Sequence, residues 1–160
     1  MAMVYPAGIN GVLTTYGQHL LLAALFKKQL SLDDLWMALL WEIPSDVYDG
    51  VTMPEVQGAM PDYESGLEVA TGYARAYYSA TDSTGRLRWD QSSSRSVYNS
   101  DQILFPAAES PWGQIRGWAA VDAAQGGRTI AMGLLDLQVD VGDQVVIEPG
   151  SLGFVVLTGA

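Results

Sequence analysis

Short apolar runs, cut at close intervals by turn-forming clusters, constrain this chain more than any other feature. Asp82-Ser83-Thr84-Gly85, Gln125-Gly126-Gly127, Val141-Gly142-Asp143 and Pro149-Gly150-Ser151 supply residues that accept turn backbone angles or hydrogen-bond their own main chain. The runs between them read as strands, expected over residues 35–43, 69–80, 86–90, 102–105, 114–122, 128–135, 144–148 and 152–157. Gly126-Gly127, between two such runs, is the strongest hairpin signal. About eight strands at this spacing imply a mainly β fold, a β-sandwich or jelly-roll-like domain. One N-terminal α-helix would pack on it. There is no internal repeat.

That helix is expected over residues 15–28. Thr14 or Thr15 can cap its N-terminus, and Lys27-Lys28 sit where cations complement the C-terminal dipole. Its centre, LLLAALF at 20–26, is apolar on nearly every face, which predicts burial on more than one side. Leu21, Leu22, Leu25 and Phe26 are therefore expected inside, with Leu25→Ala costing about 2–5 kcal/mol.

The stretch before the helix is apolar, is broken by Pro6, Gly8 and Gly11, and has no helical or strand period. Disordered tails are normally polar, so this one should pack on something. Two placements are open: an arm that contacts another chain, or a strand added to the domain's own sheet. The first gives an apolar arm over residues 1–14 and a single domain over 15–160. Under it, deleting residues 1–13 leaves the β fold intact and abolishes self-association.

Charge narrows the classes of function. Eight basic residues stand against 18 acidic ones, net −10, where a nucleic-acid binder needs a basic stripe to displace counterions. No nucleic acid and no anionic membrane surface is expected as a partner. Only 16% of residues are charged, below the ~25% of an average soluble domain, which suits a chain that buries surface against partners. The longest apolar run, residues 20–26, falls far short of the ~20 residues a bilayer span requires. Residues 1–13 lack the positive start of a signal peptide.

A search for chemistry is negative. The absence of cysteine removes thiolate metal sites and cysteine nucleophiles, and His19 alone cannot make a multi-histidine site. No G-x-S-x-G elbow accompanies His19, which reads as a buried or interface histidine. Asp33, Asp34, Glu42, Asp46, Asp49, Glu55, Asp62, Glu64 and Glu68 lie together with no Lys or Arg among them. Calcium would want such carboxylates, but no EF-hand spacing exists and prolines interrupt residues 44–66, so a solvated acidic loop is expected. Glu42 and Glu68 as a glycosidase pair, with Trp36, Trp41, Trp89, Trp112 and Trp118 as sugar platforms, is the other enzymatic reading. Tryptophans at strand positions are more often core. Ser92, Ser93, Ser94 and Ser96 with Arg95 read as a polar surface loop. No catalytic, cofactor-binding or metal residue is expected, and no cofactor.

Six short motifs in one order carry a resemblance. They are LeuTrpMetAlaLeu at 35–39, GlyTyrAlaArg at 72–75, PheProAlaAla at 105–108, TrpGly at 112–113, AspAlaAlaGlnGlyGly at 122–127 and ValGlyAspGlnVal at 141–145, the last followed by Gly150 and Leu152. The chain from about Thr15 to Leu157 resembles short virion structural proteins of tailed bacteriophages, labelled tail-fibre, capsid decoration or head-spike components. The long acidic loop at 44–66 and the stretch before Thr15 depart from that pattern. The resemblance implies a non-enzymatic virion protein, first a capsid decoration or vertex subunit docking on the major capsid protein. A tail or tail-fibre-base component is the alternative, and a carbohydrate-binding or hydrolysing module the reading from another class. A homo-oligomer, trimer favoured, is expected on the outer surface of a particle whose proteins are made in the host cytoplasm.

Overall fold

The structure, a computed structural model, describes residues 3–4, 9–27, 34–42, 72–79, 89–93, 96–99 and 101–155. In chain order they form β1 (Met3–Val4), β2 (Ile9–Leu13), α1 (Thr15–Lys27), β3 (Asp34–Leu40), β4 (Ala76–Ser79), β5 (Trp89–Ser93), β6 (Ser96–Asn99), β7 (Ile103–Ala107), β8 (Gly113–Val121), β9 (Thr129–Val139), β10 (Gln144–Ile147) and β11 (Leu152–Val155). The fold is mainly β with one N-terminal helix among the described residues, as the turn spacing implies. Eight strands make one sheet in the order β4-β3-β8-β9-β2-β11-β6-β5, and three make a second in the order β1-β10-β7.

The frame is the antiparallel ribbon β8–β9, whose register runs from Gly113↔Val139 to Val121↔Thr129. Alternation decides which face of it is core. Ile115, Trp118 and Ala120 of β8 and Ala131, Leu135, Leu137 and Val139 of β9 join Met37 and Leu39 of β3. Ile103 and Phe105 of β7, Val145 and Ile147 of β10 and Leu152 of β11 complete the same core, so both sheets contribute to it. Residues of opposite parity, Ala38, Leu40, Ala119, Val121 and Met132, form a smaller buried cluster on the other face. A strand buried on both faces reads as a continuous apolar run, as β3 does.

The hairpin at 126–127 forms where expected, with both glycines at positive φ. A Cβ on Gly127 would come within 2.6 Å of Asp122 Oδ1, so this position takes only glycine without rearrangement. The β3 run ends at Leu40 rather than 43. GlyTyrAlaArg is not strand: Gly72 turns the chain with φ 81°, Tyr73 is buried, and β4 starts after it.

Three expectations are corrected. The N-terminal stretch has strands, and of its two open placements the chain's own sheets are the one observed. β1 pairs parallel with β10, while β2 lies between β9 and β11. Next, Ser92 and Ser93 belong to β5 and Ser96 to β6, an antiparallel pair joined to β11, where a loop was expected. Last, the helix is not enclosed. Leu21, Leu22 and Phe26 are 48%, 54% and 81% exposed, whereas the apolar sequence predicted burial; the side chain of Leu25 lies outside the described residues.

The exposure has a local cause. α1 touches β9 and β2, and its approach is set at its first turn by Gly17, whose Cβ position would lie 2.0 Å from the Ile130 carbonyl oxygen. Thr14 is buried and caps the helix: its hydroxyl accepts the Gly17 N–H at 3.0 Å and reaches the carbonyls of Thr129 and Ile130. The helix is thus riveted at its N-terminus to β9.

Candidate functional surface

Taken one at a time, the candidate chemical residues do not assemble. Glu42 is exposed just after β3, and Glu68 lies outside the described residues, as does most of the acidic run from Asp33 to Glu68. Trp112 and Trp118 are fully buried core residues. Trp41 is half-buried, and its indole N–H donates to the Trp112 carbonyl at 2.6 Å. Trp36 is half-buried beside exposed Tyr77, ring centroids 5.4 Å apart; the side chain of Trp89 is not among those described. His19 is exposed on α1, not buried. Among the described residues no three His, Asp or Glu side chains converge as a metal site would require. No described helix is long and apolar enough to cross a membrane.

What the motif residues do build is a set of clasps. Asp122, at the end of β8, accepts the Arg128 N–H at 2.6 Å and the Tyr16 hydroxyl at 3.1 Å. The Arg128 guanidinium lies 5.0 Å from the Tyr16 ring centroid, a cation–π contact. Burial, then the Asp122 carboxylate, pushes the Tyr16 hydroxyl above its ordinary pKa, with Arg128 opposing. Arg75, from GlyTyrAlaArg, donates to the carbonyls of Ala123 and Gly126 at 2.6 and 2.9 Å. The hairpin loop is thereby tied to α1 on one side and to the start of β4 on the other.

Trp112 is held in the same manner. Its ring packs edge-on against Tyr73, centroids 5.3 Å apart, and the Tyr73 hydroxyl accepts the Leu39 N–H at 3.0 Å. In ValGlyAspGlnVal, the Asp143 carboxylate accepts the Asp140 N–H at 2.9 Å, and Gln144 donates to the Phe105 carbonyl at 2.8 Å. Asn99, absent from every sequence motif, is buried. It donates to the carbonyls of Asp101 and Glu148 and accepts the Leu152 N–H. No sequence signal marks it, since a buried asparagine between two polar neighbours looks like any loop residue.

The six motifs therefore fix architecture, and their order along the chain is a family signature. A family model described as "Podophage GP4 fiber I protein gp80" matches residues 13–155. The chain belongs to this family. No curated protein matches it. The match covers most of the chain and agrees with the phage virion family that the motifs resemble. A fibre description fits the tail or tail-fibre alternative, where capsid decoration was expected first.

Proposed function

We propose that the chain is a non-enzymatic, self-associating building block of the tail-fibre apparatus of a short-tailed phage, carried on the outer surface of the particle. The observation that carries this is the fibre-family match across residues 13–155. Clasps built from its motif residues agree with it. Asp122, Arg75 and Trp112 hold loops and strands in place, which is the work of a rigid subunit. Net charge −10 suits a component away from packaged DNA, because like charges repel over a Debye length. Its partners are then further copies of itself and other tail components, and it is made in the host cytoplasm before assembly.

The test is gold-labelled antibody against the purified protein, viewed on intact particles by electron microscopy. Label at the tail supports the reading. Label spread over the capsid shell restores the decoration role, and particles free of the protein by mass spectrometry refute both.

A further inference from the structure

We infer that copies of this chain associate by strand exchange, β2 of one molecule filling the slot between β9 and β11 of another. The inference rests on the self-association proposed above and gives it a mechanism. The fold itself names the occupant. Within one molecule β2 lies between β9 and β11, so the same segment of a second copy fits the same walls. Both walls fall within the residues matched by the fibre family, 13–155, while β1 and β2 up to Gly11 and Val12 precede them. Slot and filler are separate parts of the chain.

Three features make the filler transferable. First, main chain carries much of the pairing. Gly11 stands opposite Gly133 and Asn10 beside Gly153, and strand pairing where glycines meet fixes register weakly, which admits alternate pairings and swapping. Second, β1 and β2 meet β10 and β11 far along the chain, Met3 beside Gln144 and Ile9 beside Leu152. No adjacent sequence dictates that these partners belong to the same molecule. Third, the filler moves as a unit with α1. Thr14 donates its N–H to the Ile130 carbonyl at 2.9 Å and caps the Gly17 N–H, so β2 and the start of α1 are fixed to the same strand, β9. Residues 1–27 therefore exchange together, with residues 28–33 as the connection to β3. Exchange re-forms the contacts of the closed molecule between two copies and requires no newly complementary surface, which makes swapping a low-cost route to oligomers.

The chain has no cysteine, so introduced thiols report the pairing directly. Val12 and Met132 are Cα partners, and directly opposed strand positions lie within disulfide reach. Full-length Val12→Cys and Met132→Cys chains are co-expressed, purified together and mildly oxidised. Peptide mapping by mass spectrometry should find residue 12 of one chain linked to residue 132 of the other, in a covalent dimer on a non-reducing gel. Absence of that link overturns the proposal. The double variant Val12→Cys/Met132→Cys gives the converse reading: covalent oligomers are expected, and a monomer closed by its own disulfide overturns exchange. Ile9→Cys with Leu152→Cys repeats the test against β11 if the first pair fails to fold. Sedimentation equilibrium of the wild type separates the two levels. A monomer overturns self-association itself, whereas an oligomer without the link leaves self-association standing and overturns strand exchange.

Discussion

Asn99 uses both amide protons and its carbonyl oxygen inside the protein, and its own backbone carbonyl accepts the Gly150 N–H at 2.6 Å. One side chain thereby fixes the turn between β10 and β11 to the end of β6. Truncation would leave buried groups without partners, and the cost of each outweighs the modest net gain of an ordinary hydrogen bond. Asn99→Ala should destabilise by about 2–4 kcal/mol in urea unfolding; a loss under about 0.5 kcal/mol, the level of a surface change, would refute the account. Tyr16 gives a prediction in pH. Its folded pKa lies above the unfolded value of 10.0, so folding favours the neutral phenol. The corresponding stability is complete below pH 10 and is lost as pH rises through the higher folded pKa. Tyr16→Phe cannot ionise, so its melting temperature should fall less steeply than the wild type's between neutral pH and pH 11. Identical slopes would show that neither burial nor the Asp122 carboxylate disfavours the ionised phenol at Tyr16.

At the scale of elements, α1 is held by contact at its start rather than by enclosure along its length. Gly→Ala within a helix ordinarily gains up to about 1 kcal/mol, but at Gly17 the added methyl meets the Ile130 carbonyl, a backbone atom that cannot swing aside. Gly17→Ala should therefore be net destabilising, by about 1–3 kcal/mol, whereas Leu22→Ala, at an exposed position, should change monomer stability by less than about 0.5 kcal/mol. Equilibrium denaturation at concentrations low enough to keep the chain monomeric compares the two, and the reverse ranking would place the helix elsewhere. This is also where the sequence misleads. LLLAALF is apolar all round, and periodicity alone cannot distinguish a helix covered by its own domain from one awaiting another chain. The strands β8 to β11 were legible because glycine-containing turns separate them and apolar alternation marks their core face. β6 was not, and β5 only at Trp89 and Asp90, because TrpAspGlnSerSer and SerValTyrAsn are polar and owe their strand character to pairing, β5 with β6 and β6 in turn with β11. As for the candidate site, the motif residues were recognisable as fold determinants in the sequence. The clasps among Tyr16, Asp122 and Arg128, which join residues over a hundred positions apart, were not.

At the scale of the whole molecule, the N-terminal strands decide whether the large sheet is continuous. β2 lies between β9 and β11, with Gly11, Val12 and Leu13 opposite Gly133, Met132 and Ala131 and with Ile9 and Asn10 beside Leu152 and Gly153. It is thus the strand that joins the β4-β3-β8-β9 half of the sheet to the β11-β6-β5 half. Removing it strips main-chain partners from two strands at once, and each buried donor or acceptor so exposed is costly. The arm placement had deletion of residues 1–13 leave the β fold intact; the observed position of β2 reverses that expectation. β1 differs, since it lies at the edge of the small sheet and pairs with β10 alone. Deleting residues 1–8 should accordingly keep a cooperative unfolding transition at a somewhat lower melting temperature. Deleting residues 1–13 should abolish the transition and the near-ultraviolet circular dichroism of the buried tryptophans. If both truncations melted alike, with native tryptophan signals, β2 would not be the bridge between the halves.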